Sequence, residues 1–494
     1  MALVTLALKP TVRLLEEEGR PVGLEEPGLR RLRLAQAAGA QGELLRALAQ
    51  GGRTEEELCG SGSVAAMERR YLLARVEREG WICHSLAQAG RVLAVLEPLS
   101  REFRFPGAGG SGSWRLSRFA WLRRRDDGAA VLESPLGFAR VVLPEAQALA
   151  WVGRLGRPQT PDSLADACGL TPALARALLH LLAAAGAVGR CGDDGLLPED
   201  RDPDLRQWEF HDLLFHSRSR QGRHDQPVGG TFRFLGDLDP LPARKPALPG
   251  PGIPLPDPGP PPREPGFYQV LEARRSVRAP GIEPITLAQL GAVLHHVARI
   301  RAVAPADPGA GRAYEAVSGP CPGAGGLHEI ELYLSVDRCA GVAPGFYHYA
   351  ADRHLLEPWP DSAAASGRLL RQAREAMGAA AGPDLLVTLA ARIQRVSWKY
   401  QAIAYALIIK DAGVLFQQMH LVATALGLAP CAIGTGDTQV FAQVSGLDYA
   451  RETSVGEFAL SGGPEAAAAG EPRNGCQHRE VRPDPVARAG HKQP

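Results

Sequence analysis

Apolar residues recur at helical spacing through 42–50, 63–80, 144–155, 161–168 and 171–186, and run together through 81–86. This pattern predicts two N-terminal groups of three short helices, with a strand at 81–86 after the first group. Local signals agree. Thr54 stands three residues before Glu57, the spacing of a capping box at the start of a short helix. Asp162 and Ser163 open the helix at 161–168. Thr171 is placed as an N-cap, Pro172 at the first helical position and Gly186 as the C-cap.

The C-terminal half is patterned differently. Helical spacing marks 287–297 and 366–377, while strand-like runs mark 329–336, 346–349, 384–391 and 454–460. Residues 397–426 are apolar almost all round, which predicts one long, central, buried helix. Mixed strands and helices with one buried helix predict an α+β domain. Each N-terminal group has the three-helix-plus-strand order of a winged helix.

Twelve of the 41 prolines fall within 240–265, a composition that favours an extended tether over a packed element. A Gly/Ser break at 107–113 divides the N-terminal part again. The resulting division is a winged-helix-like module at 1–106, a second at 107–200, an entry segment and Pro-rich linker at 201–265, an α+β domain at 266–463, and a disordered tail at 464–494.

Charge narrows the partners. The chain carries 55 basic and 54 acidic residues, and residues 1–105 carry 15 and 14. A winged helix raises DNA binding, but this balance is a poor footprint for a phosphate backbone and favours a scaffold or peptide-docking role. The start of the chain lacks the basic region and cleavage site of a signal peptide, and the longest apolar run, 402–409, is too short to span a bilayer. The eight cysteines form no CxxC or Cys/His metal spacing and read as reduced thiols, so the expectation is a cytoplasmic protein with no metal, no nucleic acid and no membrane partner.

Four segments carry candidate chemistry. Arg274, Arg275, Ser276 and Arg278 place three guanidiniums and a hydroxyl within five residues, enough to hold a terminal phosphate or to form a solvated basic patch. No GxGxxG follows a predicted strand, so a Rossmann-bound dinucleotide is not indicated. The loop 320–326 and the segment 429–437 are rich in Gly, Pro and Ala, which permits close approach to a flat ligand or makes ordinary loops. The predicted long helix carries Lys399, Tyr400, Lys410, Asp411, Gln417 and Gln418 among apolar neighbours, and buried polar groups need partners, either a ligand or a second subunit.

Together these segments, with Gly345–Tyr349 and Ser454–Leu460, resemble the nitroreductase-like flavoproteins. More narrowly they resemble the SagB-type thiazole/oxazole oxidases, the azoline dehydrogenases of ribosomal peptide biosynthesis. The segments 208–212 and 215–220 look like that family's entry segment, and the resemblance runs over about 208–463. It implies FMN at a homodimer interface, with the phosphate near Arg274, Arg275, Ser276 and Arg278. It implies flavin contacts from Gln418, Ala432, Ile433 and Gly434, and a partner-chain contribution from Pro322, Gly323, Ala324 and Gly325. The family usually carries Pro-Ser-Gly-Gly in that loop, and here Gly323 replaces the serine. Lys399 and Tyr400 are expected to serve substrate proton transfer. The implied activity is dehydrogenation of thiazoline or oxazoline to thiazole or oxazole on a precursor peptide, alongside a cyclodehydratase. Two alternatives stay open: a general NAD(P)H-dependent nitro or quinone reductase, and a peptide-docking scaffold with a degenerate flavin domain.

Overall fold

The computed structural model describes residues 4–463, apart from 28–29, 35–38, 107–111, 228, 260–264 and 361–362. The expected tail at 464–494 and most of the Gly/Ser break lie outside the described residues. Two compact units are present. The first comprises residues 1–240 and 394–407, the second residues 241–393 and 408–494.

Within the first unit each half repeats one order of elements. A strand leads into three further strands, then three helices, then a strand that pairs back with the first. In the first half Val4–Leu8 pairs antiparallel with Ile82–Gln88; in the second Trp114–Leu116 pairs with Val188–Arg190. The helices are close to expectation: Ala40–Gln50, Glu55–Cys59 and Val64–Arg78, then Ala146–Arg154, Pro161–Cys168 and Pro172–Ala184. Thr54 and Glu57 form the capping box, and Thr171 caps its helix. Helix Pro161–Cys168 is N-capped by Thr160, and Ser163 completes the capping box, while Asp162 takes no part in it. The four strands before each helical group were not read from the sequence. Arg13–Glu17, Arg20–Glu26 and Arg30–Arg33 form a three-stranded sheet of charged residues.

The expected division at 106/107 falls inside a single sheet. Strand Arg91–Pro98 of the first half pairs antiparallel with Ala139–Leu143 of the second, giving a six-stranded sheet. One apolar core accordingly mixes Leu86, Leu93 and Leu96 with Leu178, Leu181 and Leu182. Gly186 has a left-handed φ of 69° and lies against Gly137, where a side chain at either position would collide with backbone.

The second unit is α+β, as expected. Its seven-stranded antiparallel sheet runs Ile253–Pro254, Leu355–Pro358, Gly345–Ala350, Ile330–Val336, Leu385–Arg392, Glu452–Ser461, Ala429–Ile433. Leu332, Leu334, Val387, Leu389 and Phe458 cover one face together with Leu290 and Leu294 of helix Leu287–Ala298 and with Ala412, Met419 and Ala423 of helix Ala404–Ala425. The other face packs Tyr333, Phe346 and Leu386 against Leu369 and Ala373 of helix Ala363–Met377 and Phe441 of helix Thr438–Ser445.

Two expectations change here. The long helix is broken: Ile393–Ser397 is followed by an irregular turn and then by Ala404–Ala425. Nor is it buried all round, since Ile409, Lys410, Gly413 and Gln417 are exposed on one side. The Pro-rich segment is also no free tether. The Ala243 amide donates to Glu315 at 2.7 Å and the Leu248 amide to Glu357 at 3.0 Å. Ile253–Pro254 forms the edge strand, where a proline without an N–H is tolerated. No single helix among the described residues is long and apolar enough to cross a membrane.

Candidate functional site

The arginine loop begins where helix Phe267–Ala273 ends. The Arg274 amide closes the last turn on Val270 O at 3.0 Å, and the Val277 amide donates to Pro430 O at 2.8 Å. That bond ties the loop to the head of strand Ala429–Ile433, so Arg274, Arg275, Ser276 and Arg278 are brought beside Ala432, Ile433 and Gly434. Two electrostatic effects report the same closeness. Burial, and then the Arg274 charge, hold His420 below the ordinary imidazole range. Burial pushes the Cys431 thiol up, and the Arg278 charge partly opposes it. Arg275, Ser276 and Arg278 are exposed and Arg274 is half-buried. Among the described residues no carboxylate pairs with the three guanidiniums.

The glycine-rich loop is held from two sides. The Ala324 amide donates to Asp411 Oδ2 at 2.7 Å, and Tyr314 Oη donates to Gly325 O at 2.9 Å. Gly325 and Gly326 take left-handed φ values of 59° and 73°. Pro322 and Gly323 line a cavity with Arg299, His328, Glu331 and Asp411. Asp411 thus finds its partner in the loop. Gln418 finds one elsewhere: its amide donates to His296 O at 3.3 Å, at the end of helix Leu287–Ala298. Asp411 and His420 lie about 13 Å apart along their helix, at roughly 1.5 Å per residue, so one helix borders both loops.

Lys399 and Tyr400 belong to the first unit, the other candidates to the second. The pair sits in the turn between the two helices, not on a helix as expected. The Lys399 carbonyl accepts from the Thr231 and Phe232 amides at 2.8 and 3.2 Å. With the backbone released from helical geometry, the side chains converge: the Lys399 ammonium lies 5.0 Å from the centre of the Tyr400 ring. Both residues are half-buried.

Comparison with known proteins gives the family. The nitroreductase family profile matches residues 271–461, and the profile of the cyanobactin oxidase ThcOx matches residues 114–225. A protein of Methanocaldococcus jannaschii named as a nitroreductase is 30% identical over 165 residues, which cover 33% of this chain and 76% of the relative. The chain belongs to the nitroreductase family. Solved structures to which the chain is similar include a protein of Ralstonia eutropha described as a nitroreductase, at 20% identity and a TM-score of 0.35, covering 46% of this chain and 95% of that one. Another is the Escherichia coli microcin synthetase McbBCD complex with truncated pro-MccB17 bound, at 18% identity and a TM-score of 0.31, covering 50% and 90%.

Membership in this oxidoreductase family makes a flavin the cofactor to test, and the residues fit one phosphate. Three guanidiniums without carboxylate partners among the described residues, and one hydroxyl, stand beside a strand end of small residues. One residue at this place was not read from the sequence. Glu457, on strand Glu452–Ser461, is buried, and its carboxylate lies within 2.5 Å of where a Cβ on Gly436 would stand. Burial raises its pKa to about 6, and the Asp437 charge adds to the rise. The available signal was a carboxylate within the apolar run of the closing strand, between Val455 and Leu460. Asp437 itself is structural: its Oδ1 caps helix Thr438–Ser445 through the amides of Gln439 and Val440 at 3.0 and 2.9 Å.

Proposed function

We propose that this chain is an FMN-dependent azoline dehydrogenase of the SagB type, oxidising thiazoline or oxazoline rings to thiazole or oxazole on a ribosomally made precursor peptide. The observation that carries this reading is the pairing, in one polypeptide, of the ThcOx match at 114–225 with the nitroreductase match at 271–461. Aromatisation removes a proton from the α carbon and a hydride from the neighbouring ring carbon. FMN, when bound, supplies the two-electron acceptor for the hydride.

The residues of the chain do the rest. Arg274, Arg275, Ser276 and Arg278 bind the phosphate, and Ala432, Ile433, Gly434 and Gln418 contact the ring system. Pro322, Gly323, Ala324 and Gly325 contribute from the facing subunit of a homodimer. Lys399 takes the α proton, and Tyr400 orients it. The N-terminal unit, read as two winged-helix modules, docks the peptide or its cyclodehydratase. Helix Val64–Arg78 supports this, since Val64, Met67 and Tyr71 share one face and are 68%, 66% and 72% exposed. The setting is cytoplasmic.

The test is purified full-length protein incubated with an azoline peptide and oxygen. Loss of two hydrogens per ring by mass spectrometry, with released FMN identified, is the expected outcome. The name of the Methanocaldococcus relative favours a second reading, a nicotinamide-fed nitro or quinone reductase. Flavin-loaded protein that oxidises NADH or NADPH briskly but leaves the azoline peptide untouched would replace the first reading with the second. Colourless protein that takes up no FMN would leave the docking scaffold.

A further inference from the structure

His328 is a side-chain-bearing residue in left-handed backbone, with φ of 46°. Residues with a Cβ seldom adopt that conformation, and a protein holds it where the surroundings dictate it. Here the surroundings are two glycines. A Cβ on Gly319 would stand 3.1 Å from His328 Cε1 and 3.5 Å from Nδ1. A Cβ on Gly323 would stand 3.1 Å from Cδ2 and 3.2 Å from Cγ of the same ring. The imidazole therefore fills a slot with Gly319 along one edge and Gly323 along the other. From that slot it lines the cavity that Pro322, Gly323, Glu331 and Asp411 share.

This bears on the missing serine. A serine at 323 would start its side chain 3.1 Å from the imidazole, a few tenths of an ångström inside ordinary packing distance, so hydroxymethyl and ring crowd one another. We infer that His328 takes the place of that serine as the polar side chain this loop offers the flavin, and that Gly319 and Gly323 are glycine because the ring needs their space. The inference rests on the FMN reading above. It makes His328 a flavin-contacting residue of the loop, and it sets positions 323 and 328 in competition, since a side chain at 323 presses the ring out of its slot.

The test is FMN titration of flavin-stripped full-length protein, followed by fluorescence quenching, with the melting temperature of each stripped variant as the control for folding. His328→Gly removes the ring and suits the left-handed backbone, so it tests the imidazole without straining the fold. Its FMN dissociation constant should rise by about tenfold, the worth of roughly one hydrogen bond. Gly323→Ser alone should also weaken binding, because hydroxymethyl and ring compete. The double variant Gly323→Ser/His328→Gly should return to within about threefold of wild type. A loop that merely lost packing would not be rescued by adding a hydroxyl. The inference is overturned if His328→Gly binds FMN as the wild type does, or if the double variant binds no better than the weaker single one. Wild-type protein that takes up no FMN would instead overturn the flavin reading itself.

Discussion

Lys245 Nζ donates to both carboxylate oxygens of Glu452 at 2.7 Å, across 207 residues of chain. It also reaches Tyr333 Oη, which donates to the same carboxylate at 2.6 Å. Both charged groups are largely buried. Removing one partner of a buried pair strands the other, so Lys245→Ala should lower stability by about 3 kcal/mol. Lys245→Met/Glu452→Leu, which removes both charges, should cost less than either single change. Chemical denaturation of the three variants checks the order.

His84 should make the protein acid-labile. It is 5% exposed and stacks on Phe105 with ring centres 4.1 Å apart. Burial, aided by His180, lowers its pKa from 6.5 to about 4. The unfolded chain then binds a proton that the folded one refuses, so stability falls as pH drops from about 6.5 towards 4, by about 3 kcal/mol for the full shift. His84→Phe should flatten this slope. An unchanged pH profile of the melting temperature in that variant would count against the assignment.

Arg275→Ala should weaken flavin retention by about tenfold, since a guanidinium–phosphate contact is worth roughly 1.5–3 kcal/mol when charge-assisted. Gel filtration followed by absorbance reads the retained fraction. Recovery of FAD in place of FMN would contradict a site built around one phosphate.

Lys399→Ala and Tyr400→Phe should each keep FMN and melt normally while losing most azoline oxidation. Their side chains meet over 5.0 Å in a turn, where a lysine can exchange protons with substrate. Wild-type rates in both flavin-loaded variants would move the base elsewhere.

The exposed stripe Ile409, Gly413 and Gln417 recurs every fourth residue on helix Ala404–Ala425, and Ile409 is 42% exposed. Such a stripe suits a two-fold contact with a second copy. Light scattering should show a dimer, and Ile409→Glu should shift it towards monomer with loss of flavin.

What could be read from the sequence was what is decided locally. Thr54 and Glu57 signal their cap within four residues, and the strands Ile330–Val336, Gly345–Ala350, Leu385–Arg392 and Glu452–Ser461 declare themselves by apolar runs, whereas Leu355–Pro358 and Ala429–Ile433 do not. The charged meander was missed because its apolar positions are few and scattered among charged ones, and Leu14, Leu24 and Leu32 meet across the strands only on folding. The break before Ala404 was missed for a different reason. Residues 398–403 have helix-compatible composition, but the Trp398 indole donates to Leu238 O at 2.7 Å and Lys399 O accepts two amides from 231–232. Those partners lie some 160 positions away, beyond any local window. The arginine loop was visible as a charge cluster, yet its neighbour Glu457 was not, because Gly436 meets it through folding alone.

The shared sheet of the first unit has a consequence for any attempt to study its halves apart. A fragment that stops near residue 106 keeps strand Arg91–Pro98 but loses Ala139–Leu143, the strand that satisfies its outer row of amides and carbonyls. That fragment would carry a raw edge of four paired positions, flanked by Leu93 and Leu96 stripped of their cover. Edges of this kind recruit whatever strand comes near, including another copy of themselves. Insolubility of the isolated first half would then say nothing against its folding; it would mark the place where the second half was meant to bind.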